Sequence, residues 1–258
     1  MTPLQQLLTR FRDAAQTQRE KGTYFEELIM QYLKHEASYK ELYSGVWTYS
    51  EWADLQGLDK RDAGIDLVAQ TRGTQAFHAI QCKFYDEHYK VQKKDIDSFF
   101  TASGKKPFTH RLIVSTSIAW SEHAEDALRD QQPPVSKIDL NDLENSQLDW
   151  SQFQPNTAPV LKPKKQLREH QAKALQFVRH GLASAERGKL IMACGTGKTF
   201  TSLKIAEDLV GNGGRVLFLV PSLALLSQTL TEWTQESTTP LNSFAVCSDA
   251  DVGKKRHK

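Results

Sequence analysis

The segment Met192-Ala-Cys-Gly-Thr-Gly-Lys-Thr199 decides the fold of the second half of this 258-residue chain. Its glycines allow a backbone tight enough for N–H groups to face phosphate oxygens, and the dipole of a following helix adds positive charge there. Lys198 is expected to reach the β- and γ-phosphates of a nucleotide, and the Thr199 hydroxyl to bind Mg²⁺. The alternative is an ordinary glycine turn between a strand and a helix.

Apolar segments alternate with helical patterns around this motif. The continuous apolar runs are typical of buried parallel strands, and three are expected: Arg187–Met192, Arg215–Val220 and Ser243–Ser248. The 3.6-residue periodicity predicts three helices: one from Leu167 to about Ala183, Thr199–Val210 and Leu223–Trp233. This alternation predicts a doubly wound α/β domain.

This half resembles the beginning of the first RecA-like domain of superfamily-2 helicases and translocases. The resemblance rests on Arg168-Glu-His-Gln171, on the glycine loop and on Val220-Pro-Ser222, which matches the family's contact with the nucleic-acid backbone. It implies ATP as a cofactor, with Gln171 recognising adenine. The other implied ATP-binding residues are Gly195, Thr196, Gly197, Lys198 and Thr199.

ATP hydrolysis also requires an acidic pair at the end of a later apolar strand. No Asp-Glu pair follows Thr199 at the end of an apolar strand, and Asp249 and Asp251 lie in a polar tail that ends in Lys-Lys-Arg-His-Lys258. The second RecA-like domain is also missing from the sequence. We therefore expect a truncated product or a fragment that does not hydrolyse ATP by itself.

The first half carries a second pattern, Gly64-Ile-Asp66 followed by Gln81-Cys-Lys83. Two strands joined by a turn centred on Arg72-Gly73 would pair Asp66 with Ala79. Side chains repeat every two residues along a strand, so Asp66, Gln81 and Lys83 would share one face. An acid, an amide and a lysine on one face form a Mg²⁺-dependent phosphodiesterase site, because carboxylates hold the metal and the metal acidifies water. The alternative is a set of ordinary surface residues on a hairpin.

This half resembles the Mrr-like branch of the PD-(D/E)xK nucleases, in which glutamine replaces the second acid. The matching pieces are Gly22-Thr-Tyr-Phe-Glu26, Gly64–Asp66 and Gln81–Lys83. The resemblance implies catalytic roles for Asp66, Gln81, Lys83 and Glu26. Mg²⁺ would be held by Asp66, Glu26 and the backbone carbonyl of Cys82, with Glu27 as the second choice on the helix. Asp62 and His78 are expected to be structural.

Composition narrows the class of protein. With 39% hydrophobic and 25% charged residues, the chain is an ordinary globular protein. No apolar run reaches the roughly 20 residues that a membrane span needs. Three scattered cysteines argue against structural zinc or disulfides and favour the cytoplasm. With a net charge of only +2, DNA affinity must come from a local patch.

A nuclease domain (1–145), a proline-containing linker (146–166) and a RecA-like domain (167–258) are therefore expected. The order is similar to that of type ISP restriction enzymes, in which nuclease and ATPase precede a methylase and a target-recognition domain. The resemblance implies an endonuclease that acts on double-stranded DNA and lacks here its remaining motor, methylase and recognition domains. Two alternatives stay open: a DNA-binding nuclease fold without catalysis that serves a helicase, and a nonfunctional remnant.

Overall fold

The computed structural model describes residues 1–60, 64–86 and 88–246, and the chain divides into two compact units, Met1–Lys162 and Pro163–Lys258. The helices of the first unit are α1 (Pro3–Ala14), α2 (Gln18–His35), α3 (Ala37–Leu42), α4 (Tyr49–Leu55), α5 (Asp97–Ser103), α6 (Glu122–Leu128) and α7 (Leu140–Glu144). Its strands are β1 (Tyr43–Thr48), β2 (Leu67–Thr71), β3 (Phe77–Lys83), β4 (Phe108–Ser115) and β5 (Val135–Ile138).

The first two helices begin where side chains satisfy free backbone N–H groups. Thr2 and Gln5 form a reciprocal capping box before α1, and Pro3 occupies the first turn, where no N–H is needed. Thr17 caps α2. The apolar face of α2 lies in the core, because its members are all buried: Phe25, Leu28, Ile29, Tyr32 and Leu33.

The five strands form one mixed sheet in the order β1-β2-β3-β4-β5. The first three strands are antiparallel, whereas β3, β4 and β5 run parallel. Parallel neighbours need crossover connections, which are provided by α5 between β3 and β4 and by α6 between β4 and β5. Because β2 runs opposite to β3, the start of β2 and the end of β3 meet at the same edge of the sheet.

Apolar layers cover both faces of this sheet. One layer joins α1 and α2 to Leu67 and Ile80, and the other joins α4, α5 and α6 to Val68 and Ala79. Trp52 and Trp150 are buried, and Trp47 and Trp120 pack against the second layer. Core packing therefore accounts for these four tryptophans.

The first part of the segment expected to be a linker, 146–166, packs into the first unit, whereas most of 154–166 is exposed. Leu148, Trp150 and Phe153 are buried in the layer that contains α1 and α2. The Trp150 indole N–H donates a 2.7 Å hydrogen bond to the Leu143 carbonyl. The boundary between the units lies between Lys162 and Pro163.

The second unit contains the three predicted helices, α8 (Glu169–Leu182), α9 (Lys198–Val210) and α10 (Leu223–Glu236). Its predicted strands are wrong within 163–246, since the single sheet lies in the first unit and Arg187–Met192 and Arg215–Val220 are not strands. Ser243–Ser248 extends past the described residues. Strand hydrogen bonds come from neighbouring strands, so an apolar run alone does not make a strand. Ile191, Leu217 and Leu219 are accordingly 80–90% exposed.

Across the described chain, none of the helices has the length and apolar character needed to cross a membrane.

Candidate functional site

Asp66 and Gln81 lie opposite each other at the edge where β2 begins and β3 ends. Leu67 pairs with Ile80, so the same register places Asp66 opposite Gln81. The predicted pairing of Asp66 with Ala79 is wrong by two residues, because the turn is longer than two residues. Thr71 hydrogen-bonds to the carbonyl of Ala76, and Gln75 takes a positive φ of 57°. A shift of two residues preserves the face of the sheet, so the predicted common face of Asp66 and Gln81 stands.

The Gln81 carboxamide is buried and only half satisfied. Its side chain is 3% exposed, and Nε2 donates a 3.2 Å hydrogen bond to the carbonyl of Gly64. Gly64 has a φ of +77°, a conformation that favours glycine. Oε1 of Gln81 has no hydrogen-bond partner among the described residues. A buried oxygen without a donor costs about 1–3 kcal/mol, so this atom is expected to serve a ligand.

The charged candidates surround Cys82. The Cys82 backbone N–H donates a 2.6 Å hydrogen bond to Oδ2 of Asp66. Burial raises the pKa of the Cys82 thiol well above its usual value, the carboxylates of Asp66 and Glu26 raise it further, and the ammonium of Lys83 lowers it. Asp66 thus contacts Cys82 directly, Gln81 and Lys83 flank Cys82 along β3, and the carboxylate of Glu26 influences the pKa of its thiol. The high pKa of the thiol also argues against a nucleophilic role for Cys82.

The two adjacent glutamates of α2 differ in their partners. Glu27 accepts a 2.8 Å hydrogen bond from Gln31 within the same helix. The carboxylate of Glu26 instead contributes to the raised pKa of the Cys82 thiol. The electrostatic effect of Glu26 on Cys82 therefore favours Glu26 over Glu27 as the helix member of the site. Asp62 lies outside the described residues.

The donor set suits Mg²⁺ better than a transition metal. Among the described residues, no group of three His, Cys, Asp or Glu side chains is arranged to hold an ion. Two carboxylates, the free Oε1 of Gln81 and the Cys82 carbonyl are hard oxygen donors. Mg²⁺ keeps several waters and binds through one or two carboxylates, so these residues fit it.

His78 lies on the other face of the sheet from Lys83, since the two residues are an odd number of positions apart in β3. Its Nδ1 lies 3.1 Å from the Tyr43 hydroxyl, and its ring centroid lies 4.9 Å from that of His110. Burial, and next the neighbouring His110, lower the pKa of His78 to about 4. These contacts agree with a packing role.

The phosphate loop of the second unit is folded as its glycines predict. Gly195 and Gly197 have φ values of +76° and +80°, and α9 begins at Lys198. The Ala193 carbonyl accepts hydrogen bonds from the Thr196 hydroxyl at 2.7 Å and from Lys198 Nζ at 3.1 Å. Lys198 is therefore held within the loop, where nucleotide phosphates would replace the carbonyl as its partner.

Gln171 lies directly beneath this loop and is 4% exposed. Its Oε1 accepts a 2.9 Å hydrogen bond from the Arg168 N–H, and its Nε2 donates a 3.0 Å hydrogen bond to the Thr196 carbonyl. His170 Nε2 lies 3.1 Å from the same carbonyl. The sequence did not single out His170, and its only signal was its position next to Gln171.

The lysines on both sides of the unit boundary, Lys162, Lys164 and Lys165, each contact residues of their own unit. Lys162 Nζ donates a 2.8 Å hydrogen bond to the Ser146 carbonyl. Lys164 Nζ donates to the Ser237 carbonyl, and Lys165 Nζ lies 3.0 Å from a Glu232 oxygen.

Two family profiles match the chain. Residues 34–160 match a restriction endonuclease family, Mrr_cat_2, and residues 164–257 match ResIII, the res subunit of type III restriction enzymes. The first match includes Asp66, Gln81 and Lys83, whereas Glu26 precedes it. No curated protein sequence gave a significant match.

One solved structure matches both units. It is the ATP-dependent type ISP restriction-modification enzyme LlaBIII bound to DNA, with a TM-score of 0.73 and 38% identity over 92% of this chain. This chain spans about 15% of that protein's length. The modification-dependent endonuclease AspBHI matches with a TM-score of 0.38 and 18% identity, over 55% of this chain and 34% of its own. The MspJI restriction endonuclease in complex with an oligonucleotide matches with a TM-score of 0.35 and 16% identity, over 55% of this chain and 30% of its own. Both scores are too low to support an inference. The chain therefore belongs, through residues 34–160, to the restriction endonuclease family and, through residues 164–257, to the family of type III res subunits, in the combination found in a type ISP restriction-modification enzyme.

Proposed function

We propose that the first unit is a Mg²⁺-dependent DNA endonuclease that hydrolyses phosphodiester bonds. The observation that carries this proposal is the buried Oε1 of Gln81, which lacks a protein donor and lies opposite Asp66 in the strand register. An oxygen kept from water is costly unless a donor or a cation reaches it. A bound metal ion would offset the cost of burying this oxygen.

Asp66, Glu26, Gln81 Oε1 and the Cys82 carbonyl would hold the ion. When bound, Mg²⁺ supplies positive charge that acidifies a water molecule and offsets the charge of the phosphate. Lys83 Nζ would donate a hydrogen bond to a non-bridging phosphate oxygen and orient the attacking water. The water oxygen bonds to phosphorus, the P–O bond to the leaving deoxyribose oxygen breaks, and the proton of the water passes to that oxygen.

The second unit is proposed to bind ATP through its phosphate loop. Lys198 and Thr199 would contact the phosphates and Mg²⁺, while Gly195, Thr196 and Gly197 supply backbone N–H groups. Gln171 would recognise adenine once ATP releases it from the Thr196 carbonyl. In a longer protein of the type ISP kind, ATP-driven movement along duplex DNA would accompany cleavage, and methylase and target-recognition domains would select the site.

Nicking of supercoiled plasmid by the 258-residue chain tests the nuclease, with Mg²⁺ and without ATP. Asp66→Ala and Lys83→Ala should both abolish nicking, and EDTA should do the same to the unaltered chain. Lys105→Ala is the matched control, because Lys105 is exposed and precedes β4 at the opposite end of the sheet from Lys83. Nicking that survives in both site variants would refute the site. DNA binding without nicking by the unaltered chain would favour the non-catalytic module.

A further inference from the structure

Two cations lie against the residue that follows Lys83. The guanidinium carbon of Arg12 is 4.8 Å from the centroid of the Phe84 ring, and Nζ of Lys21 is 5.1 Å from it. Phe25 stacks on the same ring at 5.1 Å. Arg12 comes from α1 and Lys21 from α2, so two helices near the start of the chain each place a positive charge beside the distant Phe84 ring.

A backbone carbonyl, rather than a carboxylate, holds the Arg12 side chain in place. Its Nη2 donates a 2.9 Å hydrogen bond to the Tyr85 carbonyl, which also accepts a 2.7 Å hydrogen bond from the Thr116 hydroxyl. Its Nε is buried and has no acceptor among the described residues. A guanidinium has five donors, so this arrangement leaves donors for a further acceptor.

The described residues do not neutralise either charge. Neither Arg12 nor Lys21 forms an ion pair within the described ranges. Glu20, which directly precedes Lys21, accepts hydrogen bonds from the Gln16 N–H at 2.8 Å and the Tyr24 hydroxyl at 3.2 Å. A cation–π contact contributes only about 0.5–1 kcal/mol at an exposed site, and a single cation would already make that contact with the ring. The second cation is unexplained by packing.

Both cations lie at the end of β3, where the catalytic lysine is proposed. Each is about 5 Å from the same ring, so they lie within about 10 Å of each other. A DNA strand carries one negative charge per 3.4 Å or so of helix axis. Cations with this spacing can contact neighbouring phosphates of one strand while the adjacent phosphodiester lies at Lys83.

We propose that Arg12 and Lys21 form a phosphate clamp that binds the DNA backbone next to the bond to be cleaved, with Phe84 positioning both cations. The clamp rests on the proposed nuclease function and adds a DNA contact from α1 and α2. Phe84 serves as a support for the cations rather than as a platform for a base, because Phe25 already stacks on it. A phosphate contact carries no sequence information, so the clamp affects all DNA sequences alike.

Fluorescence anisotropy with a labelled DNA duplex in Ca²⁺ tests the clamp apart from cleavage. Arg12→Gln and Lys21→Gln in the 258-residue chain should each raise Kd about 3- to 10-fold at low salt and reduce the slope of log Kd against log salt by about one. The matched control, Lys105→Gln, should change neither. Arg12→Lys separates charge from folding, since it keeps the charge and should keep most of the affinity.

The clamp would be overturned by variants that bind within about twofold of the control with an unchanged salt slope, or by an unaltered chain that does not bind DNA. The clamp would also be overturned if Arg12→Gln and Arg12→Lys lost affinity equally and the loss followed a lower thermal unfolding midpoint. The nuclease proposal can fail while the clamp holds. In that case the variants bind DNA more weakly than the unaltered chain, but the unaltered chain never nicks DNA. If nicking occurs, Arg12→Gln should raise KM for DNA and leave kcat unchanged.

Discussion

Replacing Gln81 with methionine separates metal binding from folding. Methionine has a similar length and flexibility and no hydrogen-bonding amide, so Gln81→Met removes the unsatisfied Oε1 and the 3.2 Å hydrogen bond from Nε2 to Gly64. Relief of a buried unsatisfied oxygen is worth about 1–3 kcal/mol, and the lost neutral hydrogen bond about 0.5–1.5 kcal/mol. The metal-free variant should therefore be more stable than the unaltered protein by about 1 kcal/mol.

Mg²⁺ should reverse this ranking. A ligand at one hundred times its Kd stabilises the folded state by about 2.7 kcal/mol, and Gln81→Met should lose most of that gain. Urea unfolding followed by tryptophan fluorescence measures both quantities, because Trp47, Trp52, Trp120 and Trp150 all lie in the first unit. Thermal midpoints should shift by about 2–4 °C per kcal/mol for a unit of this size.

Gln70→Met is the matched control, because Gln70 lies in β2 on the same hairpin and its Nε2 donates to the Gln75 carbonyl at 3.3 Å, away from Asp66. It should keep the full response to Mg²⁺. A Gln81→Met protein that loses more than about 1.5 kcal/mol in EDTA would mean that Oε1 has a partner in the folded chain. One that keeps the stabilisation by Mg²⁺ would remove Gln81 from the metal site.

Three further predictions concern stability and nucleotide binding. Because the pKa of His78 is lowered to about 4, the unfolded chain takes up its proton first, so the stability present above pH 6.5 or so should fall as the pH drops towards 4. His78→Phe should flatten this fall in urea titrations, and an unchanged slope would contradict the assignment. Gly197→Ala should weaken binding of a non-hydrolysable ATP analogue about tenfold or more, since a φ of +80° costs other residues roughly 1–2 kcal/mol and the new Cβ would lie 2.5 Å from Gln171 Nε2. Gly213→Ala, with a φ of +79° but open space around it, should bind normally. Trp150→Ala should destabilise the first unit by about 3–5 kcal/mol in urea, and a loss below 1 kcal/mol or so would place this segment outside the core.

The common face of Asp66 and Gln81 was predictable from sequence, because it depends only on whether the strand register is shifted by an even or an odd number of residues. The predicted register differs from the observed one by two residues, an even number, so Asp66 and Gln81 still share a face. The register itself depends on the turn, where the Thr71 and Thr74 hydroxyls lie 2.8 Å apart and Gln75 adopts a positive φ. Neither feature has a strong local signal in the sequence.

Long-range contacts decided the features that the sequence did not reveal. The segment after Glu144 is polar and contains prolines, yet Leu148, Trp150 and Phe153 are buried against α1 and α2. The apolar runs of the second unit looked like strands, but strand formation depends on partners that the local pattern does not specify. Arg12 and Lys21 were not recognised as site residues because nothing in α1 or α2 indicates that both meet Phe84.

The exposed apolar segments of the second unit have a consequence for the protein in solution. Side chains such as Ile191, Leu217 and Phe244, which are 84–94% exposed, would attract those of other copies as the concentration rises. The second virial coefficient measured by light scattering should therefore be negative, and more so in sulfate salts, which strengthen apolar association. The first unit would stay folded within such clusters, so colloidal behaviour and folding stability would be governed by different halves of one chain.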